Sequence, residues 1–98
     1  MSLRPEPSGN VPKVFIDFPA QDERVSSNVY SFRVGAAPPA ASVEVSIDEG
    51  PWQPCRSASG FWWFDWVCFE LGEHQVAARA TAPDGAVGTS EIRRFRRV

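Results

Sequence analysis

The stretch that decides the fold is residues 42–52, SVEVSIDEGPW, in which apolar and polar side chains alternate before a turn. The three apolar residues within 43–47 fall on one side of an extended chain, and the polar residues between them fall on the other. Such alternation is typical of a β-strand with one buried face. Residues 49–50 supply the turn, and residues 52–56 begin the partner strand of a predicted hairpin.

The same two-residue period recurs along the chain on both sides of this hairpin. Further strands are predicted at residues 13–18, 28–34, 61–69, 74–81 and 89–98, separated by Pro, Gly, Asp and Ser. No segment has apolar residues at helical spacing over three turns. About seven short strands without a helix predict an all-β fold, an antiparallel β-sandwich.

The chain has 98 residues, which is room for one domain. Residues 1–11, MSLRPEPSGNV, are predicted to be a flexible leader, and residues 12–98 are predicted to be the domain. The leader lacks the basic start and apolar stretch of a secretory signal peptide. We therefore expect either an intracellular protein or a module of a longer chain that is secreted or displayed at the cell surface, and the sequence leaves the localisation open.

Composition argues against several classes of function. The net charge is −2, which argues against nucleic-acid binding driven by overall charge. The apolar run 61–69 is far shorter than the ~20 residues of a membrane-spanning helix, so we expect no membrane span. His74 is the only imidazole, and two cysteines beside it do not make a tetrahedral zinc site. We expect no metal, no cofactor and no enzymatic activity, because no catalytic constellation is visible.

Three segments of the chain resemble bacterial immunoglobulin-like domains. They are residues 12–19, 43–52 and 72–85, the last two of which carry the order V-x-V-S-x-D-x-G-x-W, G-x-H-x-x-x-A-R-A and D-G. The same signature is similar to the immunoglobulin-like dimerisation domain of molybdenum-cofactor sulfite-oxidase-type enzymes. The resemblance covers the whole predicted domain and implies an immunoglobulin-like β-sandwich. It also implies structural roles for Trp52 and His74, with Trp52 closing one edge of the core.

The run 61–69, FWWFDWVCF, is rich in rings, and consecutive residues of a strand point to opposite faces. One set consists of Trp62, Phe64, Trp66 and Cys68. The other set consists of Phe61, Trp63, Asp65, Val67 and Phe69. Because Asp65 is charged, the second set is the predicted outer face, and large rings are expected on the surface.

Exposed rings on a domain of this kind usually mark an interaction site. The predicted binding residues are Trp52, Phe61, Trp63 and Asp65. Three alternatives stay open for this face. It is covered by a loop or by the leader, or it contacts a protein surface, either a second copy of the chain or a neighbouring domain, or its Trp rings stack on a carbohydrate.

Cys55 and Cys68 are either a disulfide or two free thiols. In a simple hairpin of residues 52–56 with 61–69, Cys68 lies ~16 Å along the strand from the position opposite Cys55. Bridged Cα atoms are only about 4.4–6.8 Å apart. The simple hairpin therefore disfavours the bridge, and a bulge, a bend or a switch between sheets is needed to restore it.

Four arginines stand close together at positions 93, 94, 96 and 97. Such a group can hold phosphate or an acidic partner. It can also mark a charged edge strand that discourages pairing between sheets of different molecules. The second interpretation is the one we favour from the sequence.

These observations predict a non-catalytic module for protein–protein interaction or spacing, part of or derived from a larger bacterial protein. The alternative prediction is a carbohydrate-binding accessory module that uses exposed Trp residues. The expected core consists of Val14, Ile16, Val29, Phe32, Val43, Val45, Ile47, Trp52, one face of 61–69, Val76 and Ala78.

Overall fold

The computed structural model describes residues 11–98, and in this range the chain forms ten β-strands. The predicted leader, residues 1–11, lies outside the described residues apart from Val11, and it stays a prediction. In chain order the strands are β1 Lys13–Phe18, β2 Glu23–Val25, β3 Val29–Ala37, β4 Ser42–Ile47, β5 Trp52–Pro54, β6 Arg56–Ala58, β7 Phe61–Val67, β8 Gly72–Thr81, β9 Val87–Thr89 and β10 Arg93–Arg97.

The strands form two sheets. One sheet has four strands in the order β1-β3-β7-β6, and the other has the order β2-β10-β8-β4-β5 with β9 also paired to β8. Every pairing is antiparallel except that of β2 with β10. Two packed sheets with this strand exchange are the architecture of the immunoglobulin-like sandwich, so the predicted fold class is confirmed.

The predicted strands are present, and three short ones were missed. The structure adds β2, β6 and β9, each three residues long. Three residues are too few to display a two-residue period by themselves, and the equally short β5 was predicted only as the hairpin partner of β4.

The core lies between the sheets and is built from the alternating side chains of the long strands. In β8 the inner positions His74, Val76, Ala78 and Ala80 are all buried. Burying a Val or Phe side chain stabilises the fold by about 1.5–3 kcal/mol. The remaining buried apolar residues are Ile16, Val25, Phe32, Val34, Val43, Val45, Trp66, Ala82 and Phe95.

Three rings join the two sheets at the centre of this core. The Phe32 ring centroid on β3 lies 5.5 Å from that of Trp66 on β7 and 5.7 Å from that of Phe95 on β10. Trp66 and Phe95 meet edge to face at 5.3 Å. Such tilted and edge-to-face contacts add to the stabilisation from burial, and they fix the face that β7 turns outward.

Two members of the expected core lie outside it. Val29 is 57% exposed, because it sits on the outward-facing side of β3 opposite Val67 of β7. Trp52 is half-buried and shares the outward side of the second sheet with Ser46, its cross-strand partner. The prediction that Val29 and Trp52 belong to the core is therefore wrong.

The chain changes sheets at Cys55. Before it, β5 pairs with β4, and after it β6 pairs with β7 in the other sheet. The predicted single strand 52–56 is thus two strands, and only its second part lies beside the aromatic run. Pro54 directly before Cys55 is the local feature that accompanies this crossing, because proline has no N–H to continue the ladder of one sheet.

The arginine-rich strand β10 is an interior strand of its sheet, flanked by β8 on one side and β2 on the other. The interpretation of this segment as an edge strand is therefore wrong. The side chains of β10 alternate between the two faces of the sheet, so its four arginines differ in exposure. Arg94 and Arg96 are exposed, whereas Arg93 is half-buried and Arg97 is only 6% exposed.

Within residues 11–98 there is no helix of the length and apolar character that crossing a bilayer requires.

Candidate functional site

The outer surface of the four-stranded sheet gathers aromatic and arginine side chains from three strands. Antiparallel pairing sets Arg33 of β3 opposite Trp63 of β7, and Trp63 opposite Arg56 of β6. On the other side, the Arg33 position is paired with Phe18 of β1. The register therefore brings residues from distant parts of the sequence onto one row across the sheet.

Trp62, Phe64 and Cys68 pack against the core, and Trp66 is part of it. The alternate residues of β7 and of the segment after it are therefore turned outward, as the position of Asp65 indicates. Phe61 and Trp63 are half-buried there, and Phe69 is 72% exposed. We call Phe15, Phe18, Arg33, Phe61 and Trp63 the aromatic face.

Arg33 is the centre of the aromatic face. Its guanidinium carbon lies 4.4 Å from the Phe18 ring centroid and 4.2 Å from the Phe61 ring centroid. Phe61 in turn meets Trp63 edge to face at 6.3 Å. Each guanidinium–ring contact contributes about 0.5–2 kcal/mol, according to how well water is excluded.

Polar groups surround the rings. Arg33 Nε donates to Asp17 Oδ2 at 3.2 Å, and Trp63 Nε1 donates to the Ala58 carbonyl at 3.0 Å. Both bonds fix side chains that would otherwise be mobile at the surface. The aromatic face is therefore ordered before anything binds to it.

Asp65 lies at the margin of the aromatic face, and its carboxylate is already bound. Ser31 Oγ donates to Oδ1 at 2.8 Å, and Arg56 Nη2 donates to the same oxygen at 3.3 Å. The Ser31 hydroxyl and then the Arg56 guanidinium hold the pKa of the Asp65 carboxyl below its ordinary value. Asp65 is therefore an anion at neutral pH with one oxygen free of these bonds.

The fourth predicted binding residue, Trp52, belongs to the other sheet. Its ring lies 4.3 Å from the guanidinium carbon of Arg79, which Glu44 holds by a 2.7 Å bond to Nε. The structure therefore brings together Phe61, Trp63 and Asp65 but places Trp52 on the opposite outer surface of the sandwich. The prediction that Trp52 shares their face is wrong, because β5 pairs with β4 and not with β7.

Phe18 and Arg33 were not predicted from the sequence as part of this face. They lie 15 positions apart in the chain and far from the aromatic run. No local pattern connects them. Only the pairing of β1 and β7 on either side of β3 could have found them, and pairing is a long-range property of the fold.

His74 forms a second polar cluster, at the inner face of β8. Nδ1 lies 2.7 Å from Asp48 Oδ2, Nε2 lies 2.9 Å from the Glu70 carbonyl oxygen, and Cys68 Sγ is 3.8 Å from Nε2. Burial alone would lower the pKa of His74, but the hydrogen bonds to Asp48 and Glu70 outweigh it and raise that pKa above its ordinary value. The pairing of Asp48 with His74 was not predicted from the sequence, since the two residues lie in different segments of the chain.

A Cys–His–Asp order is also the order of a nucleophilic triad, yet the hydrogen bonds point elsewhere. Nε2 faces the Glu70 carbonyl, which only accepts, so Nε2 carries its proton there and has no lone pair for the Cys68 thiol. His74 is 6% exposed, at the wall of a groove of about 300 Å³. The cluster therefore acts as a structural tie between β8, the turn after β4 and the segment after β7.

The two cysteines lie at different heights of the sandwich and both are free thiols. Cys55 N donates to the Val43 carbonyl, and Val43 is paired with Ala80 near the end of β8. Cys68 lies beside His74, near the start of β8. Positions 74 and 80 are about 20 Å apart at ~3.3 Å per residue, so the switch of sheets at Cys55 does not bring the thiols together. Burial, and then the nearby Glu44, raise the pKa of the Cys55 thiol to about 12.

Across the part of the chain that the structure describes, no group of three or more His, Cys, Asp or Glu side chains could hold a metal ion.

No family model matches the chain, and no curated protein matches it. Solved structures do. An engineered protein superposes with a TM-score of 0.72 at 24% identity, over 89% of this chain and 20% of that chain. Fibronectin(III)-like modules of Clostridium thermocellum CbhA give a TM-score of 0.67 at 18% identity, over 87% of this chain and 94% of that chain.

A modular endo-β-1,4-mannanase from Cellulomonas fimi gives a TM-score of 0.69 at 23% identity, over 89% of this chain and 18% of that chain. The chain thus spans about a fifth of the engineered protein and of the mannanase. These structures do not bear on the similarity to sulfite-oxidase-type enzymes, which stays a prediction. At such identities the likeness is one of fold, and the fold is that of a fibronectin III-like, immunoglobulin-type β-sandwich.

Proposed function

We propose that the chain is a non-catalytic interaction module that docks a protein surface on the outer side of its four-stranded sheet. The observation that carries this proposal is the aromatic face. Phe15 is 50% and Phe18 is 42% exposed, next to the half-buried Phe61 and Trp63. Exposed contiguous rings on a domain of this size are a liability unless another surface covers them.

The composition of this surface is that of a protein interface. Aromatic residues and arginine are enriched at interface centres, and polar groups form the rim. Here the rings and Arg33 make the centre, and the Arg56–Asp65 pair lies at the margin. The side chains of the aromatic face are also held in place by contacts within the domain, which lowers the entropy lost when a partner binds.

We also propose that the module works as part of a larger bacterial protein, with a neighbouring domain or a second copy of the chain as the partner. The support is that similar structures occur within much longer chains, of which they form 18–20%. One of these two is from Cellulomonas fimi, and the fibronectin(III)-like modules that match over 94% of their own chain are from Clostridium thermocellum.

Carbohydrate binding is the alternative, and the aromatic face gives it less support. A sugar stacks on an open ring face, whereas the Arg33 guanidinium lies over both Phe18 and Phe61. One feature favours the alternative. Two polar side chains, those of Arg56 and Asp65, lie beside Trp63 and could bond the hydroxyl groups of a sugar.

A non-catalytic role agrees with the state of His74. Its two nitrogens are taken by Asp48 and by the Glu70 carbonyl, so the single imidazole of the chain is not free to transfer a proton to a substrate.

Light scattering coupled to size exclusion tests the proposal directly. The wild type and Trp63→Ser are compared across a dilution series from high to low micromolar concentration, in reducing and in oxidising buffer. We expect concentration-dependent self-association that Trp63→Ser weakens at least tenfold. Trp52→Ser is the matched control, because it removes a half-buried Trp from the opposite sheet and should leave the association unchanged.

A monomer under every condition would remove the second copy as partner. An equal loss of association in Trp52→Ser and Trp63→Ser would overturn the assignment to the aromatic face. A tryptophan fluorescence change with a glycan panel, lost in Trp63→Ser, would replace the protein partner by the carbohydrate alternative.

A further inference from the structure

We infer that the aromatic face recognises a carboxylate, carried by an acidic side chain of a protein partner, and that Arg33 is the residue that binds it. This inference rests on the proposed function and deepens it, since it names the chemistry that the partner must present. It starts from the hydrogen bonds that Arg33 makes and from those that it leaves open.

Two rings lie against the Arg33 guanidinium. Its carbon is 4.4 Å from the Phe18 ring centroid and 4.2 Å from the Phe61 ring centroid. A guanidinium stacked on rings is weakly hydrated where they cover it, so its polar interactions are made mainly at its edge.

The edge of the guanidinium is only partly used. Within residues 11–98, the Arg33 side chain makes one hydrogen bond, from Nε to Asp17 Oδ2 at 3.2 Å. An arginine has five N–H donors, four of them on Nη1 and Nη2. The side chain is 28% exposed, and within residues 11–98 these four donors have no hydrogen-bond partner.

A carboxylate is the group that this edge fits. Two parallel N–H donors match its two oxygens, and such bidentate pairs are short and strong. The neighbouring rings shield part of the guanidinium from water, which strengthens the pair relative to one on a fully open surface. Asp17 fixes the orientation of the fork because it holds Nε.

The acidic side chains already on this surface do not oppose a further carboxylate. Asp17 is paired with Arg33 itself, and Asp65 is held by Ser31 and Arg56. Lys13 at the start of β1 adds a positive charge that belongs to neither of these pairs. The charge of the aromatic face therefore complements an acidic partner.

The source of the carboxylate that we favour is a protein. The exposed rings of Phe15 and Phe18 favour an apolar side chain beside the acid, which a peptide segment supplies. A uronic acid would offer the C–H face of its ring, which needs an open ring face on the protein, whereas the Arg33 guanidinium lies over Phe18 and Phe61. The expected occupant is a segment in which Glu or Asp stands between apolar residues.

The experiment uses the full chain, labelled with nitrogen-15, and two probes. One probe is the peptide acetyl-Leu-Glu-Phe-Glu-Leu-amide, and the other has Gln in place of both Glu residues. We expect the Arg33 Nε–H and Trp63 indole N–H resonances to shift saturably with the Glu peptide. The dissociation constant for the Gln peptide should be at least tenfold higher.

Two variants test whether Arg33 is the residue that binds the Glu peptide. Arg33→Lys keeps the charge but loses the fork, and we expect it to weaken the Glu peptide at least tenfold. Arg79→Lys is the matched control, because Arg79 is also stacked on a ring and held by a carboxylate at Nε, but on the other sheet. It should leave the affinity unchanged.

The remaining outcomes separate this inference from the function on which it rests. Equal binding of both peptides, lost in Trp63→Ser, would overturn the role of the carboxylate and leave the docking face standing. Binding that survives in both Arg33→Lys and Trp63→Ser would overturn both. Shifts of the same resonances with tri-galacturonate and none with the Glu peptide would make a sugar acid the source and overturn the protein partner. No shift with any probe would overturn this inference but not the proposed function, because light scattering tests association through the aromatic face independently.

Discussion

Asp48 and His74 stand 26 positions apart in the chain and meet at 2.7 Å between Oδ2 and Nδ1. The backbone of Asp48 reaches this position with a positive φ of 54°, in the turn that follows β4. Its second carboxylate oxygen accepts a bond from the Gln75 amide at 2.9 Å. One side chain thus ties the turn to two successive residues of β8.

This contact predicts the charge state of His74. Both ring nitrogens face acceptors, which only the imidazolium satisfies, and the pKa is raised above 6.5. Because the chain has one histidine, its ring proton resonances report the midpoint directly. We expect a midpoint above 6.5 in the wild type and a lower one in Asp48→Asn.

The raised pKa has a consequence for stability. The folded protein binds this proton more tightly than the unfolded chain, so the added stability is fully present below pH 6.5 and is lost as the pH rises through the folded pKa. Urea denaturation should show that the wild type loses more free energy of unfolding than Asp48→Asn over that interval. Parallel curves for the two proteins would contradict the prediction.

A second prediction concerns two arginines that are neighbours in β10. Arg97 is 6% exposed and donates to the Cys68 carbonyl, the Val98 carbonyl and the Asn28 side chain. Lysine cannot reach three acceptors, so Arg97→Lys should lower the free energy of unfolding by about 1–3 kcal/mol.

Arg96→Lys is the control within the same strand. Its partner Glu73 is 75% exposed, and exposed ion pairs contribute little, so the change should stay within ~0.5 kcal/mol. Chemical denaturation of both variants measures the difference. Equal effects would mean that the arginines of β10 act through charge alone.

The sequence predicts the parts of this fold that depend on local alternation. Residues 42–47 and 74–81 carry the two-residue period themselves, so their strands and their buried faces follow from the pattern. The same holds for β7, where Asp65 marks the outward side and the rings at 62, 64 and 66 turn to the core.

What the sequence does not predict is which strands become neighbours. Trp52 lies only 11 positions before Trp63, yet the crossing at Cys55 puts the two rings on opposite outer surfaces. Arg33 reaches the aromatic run only because β3 lies between β1 and β7. Such pairings are decided by the packing of the whole sandwich, where loop closure and core contacts compete, and not by the residues of any one segment.

A third prediction concerns Gly88 of β9. A Cβ atom added there would lie 1.9 Å from the carbonyl oxygen of Pro12 and 3.0 Å from its carbonyl carbon. Backbone cannot move aside as the end of a side chain can, so Gly88→Ala should lower the free energy of unfolding by about 1–3 kcal/mol. The thermal midpoint and the denaturant midpoint should fall together.

Gly35 of β3 is the control for this substitution. A Cβ atom there meets only the side chains of Asp17 and Phe15, each at 3.8 Å, which is an ordinary contact. Gly35→Ala should be neutral or stabilise the protein by up to about 1 kcal/mol, because it restricts the unfolded chain. A Gly88→Ala protein as stable as Gly35→Ala would mean that Pro12 does not press on β9.

The last prediction concerns the thiol of Cys55, whose pKa is raised to about 12 by burial and by Glu44. The thiolate is the reactive form, and at pH 8 about one molecule in ten thousand carries it at this position. In a Cys68→Ser variant, where Cys55 is the remaining thiol, alkylation by iodoacetamide should therefore be far slower in the folded protein than in guanidinium. The rate in the folded protein should also keep rising tenfold per pH unit between pH 8 and 10, since the thiolate fraction grows by that factor well below the pKa. A plateau near pH 9 would show instead that the Cys55 site, at the crossing between the sheets, opens to water more often than its burial implies.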